Sequence, residues 1–219
     1  VSRGLGDVYK RQKQIFANKE LGERLAAGGT VLSSANSINV GRLVPQVVYY
    51  FAAYAQLLRA GAIQVGDAVE FCVPTGNFGD ILAGYYAKQM GLPVGKLVCA
   101  SNENNVLTDF LTTGTYTAKR EFFKTTSPSM DILLSSNLER LLYHVTGSDA
   151  EVAGFMQQLA ATGSYTVRPE TLAAIQETFS CGWSSETEVA GEIRSRYEKD
   201  GYLLSLIHIS EPTRHSLIS

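Results

Sequence analysis

The chain of 219 residues lacks the features that mark several large classes of protein. Its three cysteines are too few for a disulfide framework and have no metal-ligand spacing. We therefore expect buried free thiols and a cytoplasmic location. A formal net charge of −2 provides no basic field, which argues against nucleic acid or an anionic membrane as a partner. No apolar run is long enough to span a bilayer.

Several catalytic signatures are missing as well. The sequence contains no Gly-x-Ser-x-Gly elbow of the hydrolases, and no lysine follows its glycine turn as in the ATPases. No histidine pair, acidic cluster or cysteine pair indicates a metal site. The composition, with 45% hydrophobic and 18% charged residues, is typical of a chain that folds around a sizeable core.

The two ends of the chain differ from its middle. Residues 1–12 and 205–219 show neither helical nor strand periodicity, and they resemble translated adapter or read-through sequence. We expect them to be non-native, with residues 13–204 as the native domain and a gene that continues beyond both ends. His144 is then the only native histidine. Genuine flexible termini are the alternative.

The most informative segment runs from a strand through a glycine turn into a helix. The largely apolar run Ala68–Val73 predicts a buried strand, and Gly76–Asp80 forms the turn. The first amides of a helix have no acceptor within the helix and lie at the positive end of its dipole, so they bind anions. Gly76 and Gly79 permit backbone angles and a close approach that other residues do not. Asp80 is placed as the N-cap. Phosphate binding is one interpretation of this pattern, and an ordinary capped connection between strand and helix is the other, since glycine-rich turns recur in many folds.

The rest of the chain predicts an α/β fold with a parallel sheet. A second strand, Lys96–Ser101, follows the helix, and this order is typical of βαβ units. A strand is also predicted at Thr30–Ser34 and a long helix at Val40–Ala60. Helical patterns dominate from Asn137 onward, and we expect the region from about Asp149 to form a helical lobe over the sheet.

Three clusters of hydrogen-bonding side chains fall near predicted strand ends, where ligands bind on parallel sheets. Helix capping or a solvated loop explains each cluster at least as well as ligand binding does. With the glycine turn, they suit a phosphorylated, hydroxyl-rich or zwitterionic ligand. The clusters are Asn36, Ser37 and Asn39; Ser101, Asn102, Asn104 and Asn105; and Ser127, Ser129, Asp131 and Asn137.

Four strings of the chain resemble bacterial threonine synthase in their order and spacing. They are Ala35–Arg42, Val73–Asp80, Ser101–Leu107 and Ser127–Ile132, and the resemblance covers about residues 13–204. Threonine synthases are fold-type II enzymes of the tryptophan-synthase-β-like group, and they depend on pyridoxal phosphate (PLP). They convert O-phospho-L-homoserine and water to L-threonine and phosphate. The resemblance implies that this chain forms an incomplete Rossmann-like large domain of such an enzyme.

The resemblance also implies roles for the matching residues. Backbone amides of the glycine turn would hold the cofactor phosphate, with Asp80 capping the helix, and the other residues would border the substrate. The implied cofactor-binding residues are Gly76, Asn77, Phe78, Gly79 and Asp80. The implied substrate-binding residues are Asn36, Ser37, Asn39, Ser127, Met130, Asp131 and Asn137.

One departure from the family bears on activity. The Schiff-base lysine of threonine synthases lies upstream of these motifs in a Phe-Lys-Asp context, and no lysine of this sequence has that context. A glycine-rich loop around the substrate carboxylate and the cofactor ring also lies upstream in the family. Because the lysine is needed for covalent attachment and proton transfer, we expect this chain alone to make no threonine.

Two alternatives stay open. One is a related PLP lyase of the threonine dehydratase or cysteine synthase type, which the Asn36–Asn39 and Ser127–Asp131 strings disfavour. The other is a paralogue that binds a phosphorylated metabolite without turnover. A lysine in the Phe-Lys-Asp context of the upstream gene would favour an enzyme. The sequence does not predict the oligomeric state.

Overall fold

Parallel strands form the centre of the molecule. The computed structural model describes residue 15, residues 18–32 and residues 39–202. Three strands pair in the order β1-β2-β5, and each is parallel to its neighbour. They span Val69–Pro74, Val94–Ser101 and Phe179–Trp183. The predicted α/β class and the order strand, helix, strand at β1 and β2 are confirmed.

Helices and two short strands complete the described fold. The first helices are α1 (Lys19–Ala27), α2 (Val40–Leu43), α3 (Val47–Arg59), α4 (Gly79–Gln89) and α5 (Val106–Thr113). They are followed by α6 (Leu138–Thr146), α7 (Asp149–Thr162), α8 (Pro169–Thr178) and α9 (Glu186–Asp200). The strands β3 (Thr115–Thr117) and β4 (Ser164–Thr166) pair antiparallel in a sheet of their own. Short 3₁₀ turns occur at Val44–Gln46 and Pro128–Met130. Within these described segments, no helix has the length and apolar character needed to cross a membrane.

The core lies on one face of the parallel sheet. Leu97 and Cys99 of β2 point to that face and are completely buried, as the two-residue period of a strand requires. Phe179 of β5 packs against Phe78 and Tyr85, with ring centroids 5.5 and 6.0 Å away. Removing this apolar surface from water stabilises the fold by roughly 25 cal/mol per Å².

The opposite face of the sheet is less covered. Cys72 of the edge strand β1 pairs in register with Val98, and Pro74 pairs with Ala100. Val98 and Ala100 are half-buried, and Cys72 is exposed. The predicted burial of Cys72 is therefore wrong, because its side chain points to this open face. Burial is confirmed for Cys99 and raises the pKa of its thiol to about 12.

Some elements differ from the sequence prediction. Residues 30–32 do not form a strand, and the rest of the predicted strand at Thr30–Ser34 lies outside the described residues. The predicted long helix is divided by a 3₁₀ turn at Pro45, which has no N–H to continue the helical hydrogen bonds. The region from Asp149 is largely helical, as expected, but it also contributes β4 and β5. The predicted non-native ends lie outside the described residues.

The contact between α3 and α4 depends on the missing side chain at Gly84. A Cβ atom at this position would lie 2.6 Å from Cε1 of Tyr50 and 3.0 Å from Cδ2 of Leu97. The Tyr50 ring also packs edge-on against Phe71 of β1, with centroids 4.9 Å apart. Gly84 therefore allows the tyrosine ring to lie between the two helices and the sheet.

We expect Gly84→Ala to lower the free energy of unfolding by about 1–3 kcal/mol, because the new methyl group displaces a buried ring. The matched control is Gly154→Ala in α7, where a Cβ atom would meet nothing within 4 Å. Alanine should stabilise that helix by roughly 0.5–1 kcal/mol. Urea unfolding measures both values, and equal effects of the two substitutions would contradict the packing described.

Candidate phosphate-binding site

The glycine turn connects β1 to α4 and borders a cavity. Phe78 is the N-cap of α4, Gly79 is its first residue, and Asp80 lies in its first turn. The predicted N-cap role of Asp80 is therefore wrong, because the helix begins earlier than its sequence indicates. A cavity of about 150 Å³ opens at the turn, and it is lined by Gln46 and residues 74–81.

Phe78 enters the helix in a conformation that L-amino acids rarely adopt. Its φ of 61° and ψ of 8° are left-handed, and it is the only non-glycine residue with positive φ in the described part of the chain. This conformation costs roughly 1–2 kcal/mol. It persists because the Phe78 ring, 1% exposed, is buried against Phe179. A left-handed residue before a helix turns successive amides toward a common point, which favours an anion there.

Asp80 places a carboxyl group in the lining of the same cavity. The Tyr50 hydroxyl donates to the main-chain oxygen of Asp80 at 2.9 Å and to its Oδ1 at 3.3 Å. Burial raises the pKa of the Asp80 carboxyl, and the hydrogen bond from Tyr50 opposes this only in part. Burial also raises the pKa of Tyr50, so its hydroxyl remains a donor. The negative charge of Asp80 is thus disfavoured where an anion would bind.

A second segment, residues 125–137, packs against the glycine turn, and we call it the clamp loop. Ser135 Oγ donates to the main-chain oxygen of Gly76 at 3.1 Å. Ser136 donates to Oδ1 of Asn77 through both its N–H and its hydroxyl, each at 2.8 Å. Asn137 Nδ2 donates to the main-chain oxygen of Asn77 at 2.8 Å. The glycine turn and the clamp loop therefore form one hydrogen-bonded unit.

The clamp loop also approaches Gly76 closely. A Cβ atom at Gly76 would lie 3.2 Å from Cα of Met130 and 3.3 Å from the main-chain oxygen of Ser129. These neighbours are backbone atoms, which move less readily than the end of a side chain. A larger residue at position 76 would therefore need the loop that covers it to move by a few tenths of an ångström.

Asp131 joins the clamp loop to the carboxyl end of β2. Its Oδ1 accepts from Nδ2 of Asn102 at 2.8 Å, from Nδ2 of Asn104 at 3.1 Å and from Oγ1 of Thr125 at 2.7 Å. Its Oδ2 accepts from the Thr125 N–H at 2.9 Å. Four internal donors therefore surround this carboxylate and fix the start of the loop to the sheet.

Known proteins provide an independent comparison. Threonine synthase-like 1 of Macaca fascicularis is 46% identical to the chain over 195 residues, which is 88% of this chain and 26% of that protein. Threonine synthase of Schizosaccharomyces pombe is 38% identical, over 90% of this chain and 41% of that protein. The crystal structure of PLP-bound threonine synthase from Brucella melitensis matches with a TM-score of 0.82 and 46% identity, over 91% of this chain and 41% of that one. The chain is related to the threonine synthases. No family model matches it.

The match to threonine synthases confirms the resemblance and the fold-type II architecture inferred from the sequence. Yeast threonine synthase matches as well, with a TM-score of 0.76 and 33% identity over 90% of this chain. The chain spans between 26% and 41% of the length of the curated relatives described above. The fold is therefore that of one section of a threonine synthase.

The other residues implied by the resemblance to threonine synthase differ in where they lie: one caps a helix, some are buried, and two are outside the described residues. Asn39 is the N-cap of α2, and its Oδ1 accepts from the Gly41 N–H at 2.8 Å, as the capping alternative predicts. Ser127 is buried, and Asn137 is completely buried with Arg140 donating to its Oδ1. Asn36 and Ser37 lie outside the described residues. Contact with a substrate stays a prediction for all of these residues.

Sequence reasoning missed some members of the site. Gln46 lines the cavity although it precedes the glycine turn by 30 positions, and nothing in its neighbourhood indicates a ligand. Tyr50 is buried in the core, and its hydroxyl reaches Asp80. Ser136 could have been found, because it lies within a run of small polar residues directly before Asn137.

We expect Asp80→Asn to flatten the dependence of stability on pH. A raised pKa means that the folded state binds the Asp80 proton more tightly than the unfolded state does. This contribution to stability is present at low pH and is lost as the pH rises from the usual aspartate pKa through the raised one. Asparagine keeps an Oδ1 acceptor for Tyr50 but has no such proton.

Urea unfolding between about pH 4 and about pH 8 tests this expectation. Above the raised pKa, the asparagine variant should be more stable than the parent chain. Glu177→Gln, at an exposed position in α8, serves as the control and should leave the profile unchanged. If the parent chain and the Asp80→Asn variant change in stability with pH in the same way, the raised pKa of Asp80 is contradicted.

Proposed function

We propose that this chain forms the phosphate-holding part of a threonine synthase. The whole protein would use PLP to convert O-phospho-L-homoserine and water to L-threonine and phosphate. The observation that carries the proposal is the start of α4, where a left-handed Phe78 and the helix N-terminus border a cavity of about 150 Å³. The 46% identity to a PLP-bound threonine synthase supports PLP as the source of the phosphate group.

The residues of the glycine turn fit a phosphate group. The first amides of α4 have no acceptor within the helix, and the helix dipole favours negative charge beside them. The cavity is several times the roughly 30 Å³ that one water occupies in the liquid, so a phosphate can enter. Gly76, Asn77, Phe78, Gly79 and Asp80 would hold the phosphate and so orient the ring. The bound cofactor would supply an electron sink for the reaction.

The clamp loop would serve the substrate side of the same site. Its hydrogen bonds to Gly76 and Asn77 bring it against the turn that would hold the cofactor. Ser127, Met130 and Asn137 belong to this loop, and we propose that they border the substrate and exclude water from it. Asp131 would act by holding the loop to β2, since its carboxylate is already bonded to four internal donors.

We further propose that the chain alone makes no threonine. The string Phe123-Lys124-Thr125 is similar to the Phe-Lys-Asp context of the family, but threonine stands where aspartate is expected. Lys88 donates to the main-chain oxygen of Gly95, and Lys96 to the end of α8, so both act within the fold. No lysine of the sequence takes the expected place.

Gln46 provides a test of anion binding at the cavity. We expect Gln46→Lys to tighten the binding of PLP and inorganic phosphate by roughly 3-fold to 10-fold, and Gln46→Glu to weaken it by a similar factor, because each adds one charge to the lining. The control is Gln56→Glu, which adds the same charge at an exposed position of α3. Equilibrium dialysis measures the affinities. Equal effects of the two glutamate substitutions would refute a site at this cavity.

Activity is tested on two proteins, this chain alone and a longer one that includes the upstream part of the gene. We expect phosphate release from O-phosphohomoserine, with formation of threonine, only from the longer protein and only with PLP. Turnover by the chain alone would contradict the proposed lack of a catalytic lysine.

A non-catalytic paralogue is the second candidate function. The chain is 46% identical both to a protein named threonine synthase-like 1 and to the threonine synthase of Brucella melitensis. Binding of phosphate or PLP by the longer protein, with no threonine formed, would favour this candidate over the enzyme.

A further inference from the structure

Asn77 connects the glycine turn to the clamp loop through its side chain and its main chain. Its Oδ1 accepts the N–H and the hydroxyl of Ser136, each at 2.8 Å. Its main-chain oxygen accepts Nδ2 and the N–H of Asn137, at 2.8 and 3.3 Å. Four hydrogen bonds therefore join one residue of the turn to two consecutive residues of the loop.

We propose that Asn77 is a positioning residue that couples anion binding at the glycine turn to the order of the clamp loop. The inference rests on the proposed function, since the anion is the phosphate group that the turn would hold. Asn77 acts here through the loop and not by contacting the reacting atoms.

The planarity of the peptide bond provides the physical link. In a trans peptide the C=O and the next N–H point in opposite directions. The clamp loop holds the main-chain oxygens of Gly76 and Asn77, so it also fixes the directions of the N–H groups of Asn77 and Phe78. These N–H groups point away from the loop, and the cavity is lined by Gln46 and residues 74–81.

Charge strengthens this coupling. Hydrogen bonds in a chain polarise one another, so an anion on the N–H side of a peptide strengthens the bonds at its carbonyl. The loop in turn holds two anion-binding amides in place before the ligand arrives, which lowers the entropy cost of binding. Because the coupling is reciprocal, phosphate at the turn should order residues 133–137.

The two ends of the clamp loop differ in what holds them. Asp131 bonds to Asn102 and Asn104 of the sheet edge, at 2.8 and 3.1 Å, without involving the glycine turn. The later part, Ser135–Asn137, bonds to the turn itself. Loss of the Asn77 contacts should therefore loosen the later part and leave the Asp131 end ordered.

A double-mutant cycle tests the proposal, with hydrogen exchange of the clamp-loop amides and phosphate affinity as readouts. The variants are Asn77→Ala, Ser136→Ala and the pair together. In each single variant, we expect the amide hydrogens of residues 133–137 to exchange with solvent roughly 5-fold to 20-fold faster. Each single variant should also bind inorganic phosphate several-fold more weakly. The pair should lose little more than Asn77→Ala alone, because that variant already removes both bonds at Oδ1, including the one from the Ser136 hydroxyl.

Two further variants separate positioning from general destabilisation. Asn77→Asp keeps an acceptor at Oδ1, so it should restore slow exchange at residues 133–137 in the absence of phosphate. Ser184→Ala, at an exposed position outside the loop, is the matched control and should change neither readout. Exchange at Thr125 and Asp131 should stay slow in every variant. If Asn77→Ala does not fold, Ser136→Ala and Asn77→Asp provide the same comparison.

The outcomes distinguish this inference from the proposed function. If the parent chain binds no phosphate, the proposed function fails and the coupling fails with it. If the parent binds phosphate and Ser136→Ala binds it equally well, the coupling alone is overturned. Faster exchange spread over the whole protein would also overturn it, because a positioning role is confined to the later part of the loop.

Discussion

Burial of the Phe78 ring is the constraint on which the rest of the site depends. The ring packs against Phe179 of β5, so the sheet itself holds the residue that starts α4. With Phe78 left-handed, the helix begins at Gly79, and its first residues line the cavity. The core therefore compensates for a backbone strain that the turn could not maintain alone. The energy released on burying an aromatic side chain, a few kcal/mol, exceeds the cost of the left-handed conformation.

The clamp loop depends in turn on the position of Gly76 and Asn77. Its backbone approaches Gly76 closely enough that a larger residue would displace it. At its other end, the carboxylate of Asp131 gathers donors from Asn102, Asn104 and Thr125. Two strands of the parallel sheet, β1 and β2, are thereby connected at their carboxyl ends through side chains of one loop. This arrangement brings together members of two of the three polar clusters, since Asn102 and Asn104 of the second bond to Asp131 of the third.

Much of the fold could be predicted from residue patterns, because the spacing of apolar residues and the glycines that end a helix or strand lie within the segment itself. Strands β1 and β2 and the helices from α4 to α9 follow from such patterns. Strand β5 was missed because Phe179–Trp183 is short, contains a glycine, and follows α8 without a turn. The predicted long helix is divided at Pro45, where a 3₁₀ turn separates α2 from α3.

The site was less predictable than the fold. The anion-binding turn was visible because strand, glycines and helix lie in one segment. The roles of single residues were not visible, because they depend on distant contacts. Asp80 is a first-turn residue and not a cap, since the ring of Phe78 determines where the helix starts. Gln46 reaches the cavity, and the Tyr50 hydroxyl reaches Asp80, only through the packing of α3 and the turn before it on α4, which Gly84 permits.

The open face of the sheet gives the molecule a natural attachment point for a chemical label. Cys72 is exposed on this face, two residues before the end of β1. The thiol of Cys99 is buried, and its pKa of about 12 keeps it protonated at neutral pH. A thiol-reactive fluorophore would therefore select Cys72 over Cys99. Such a label lies on the strand that leads into the glycine turn, on the side opposite to the core. It would report ligand-dependent changes at the turn without an engineered cysteine.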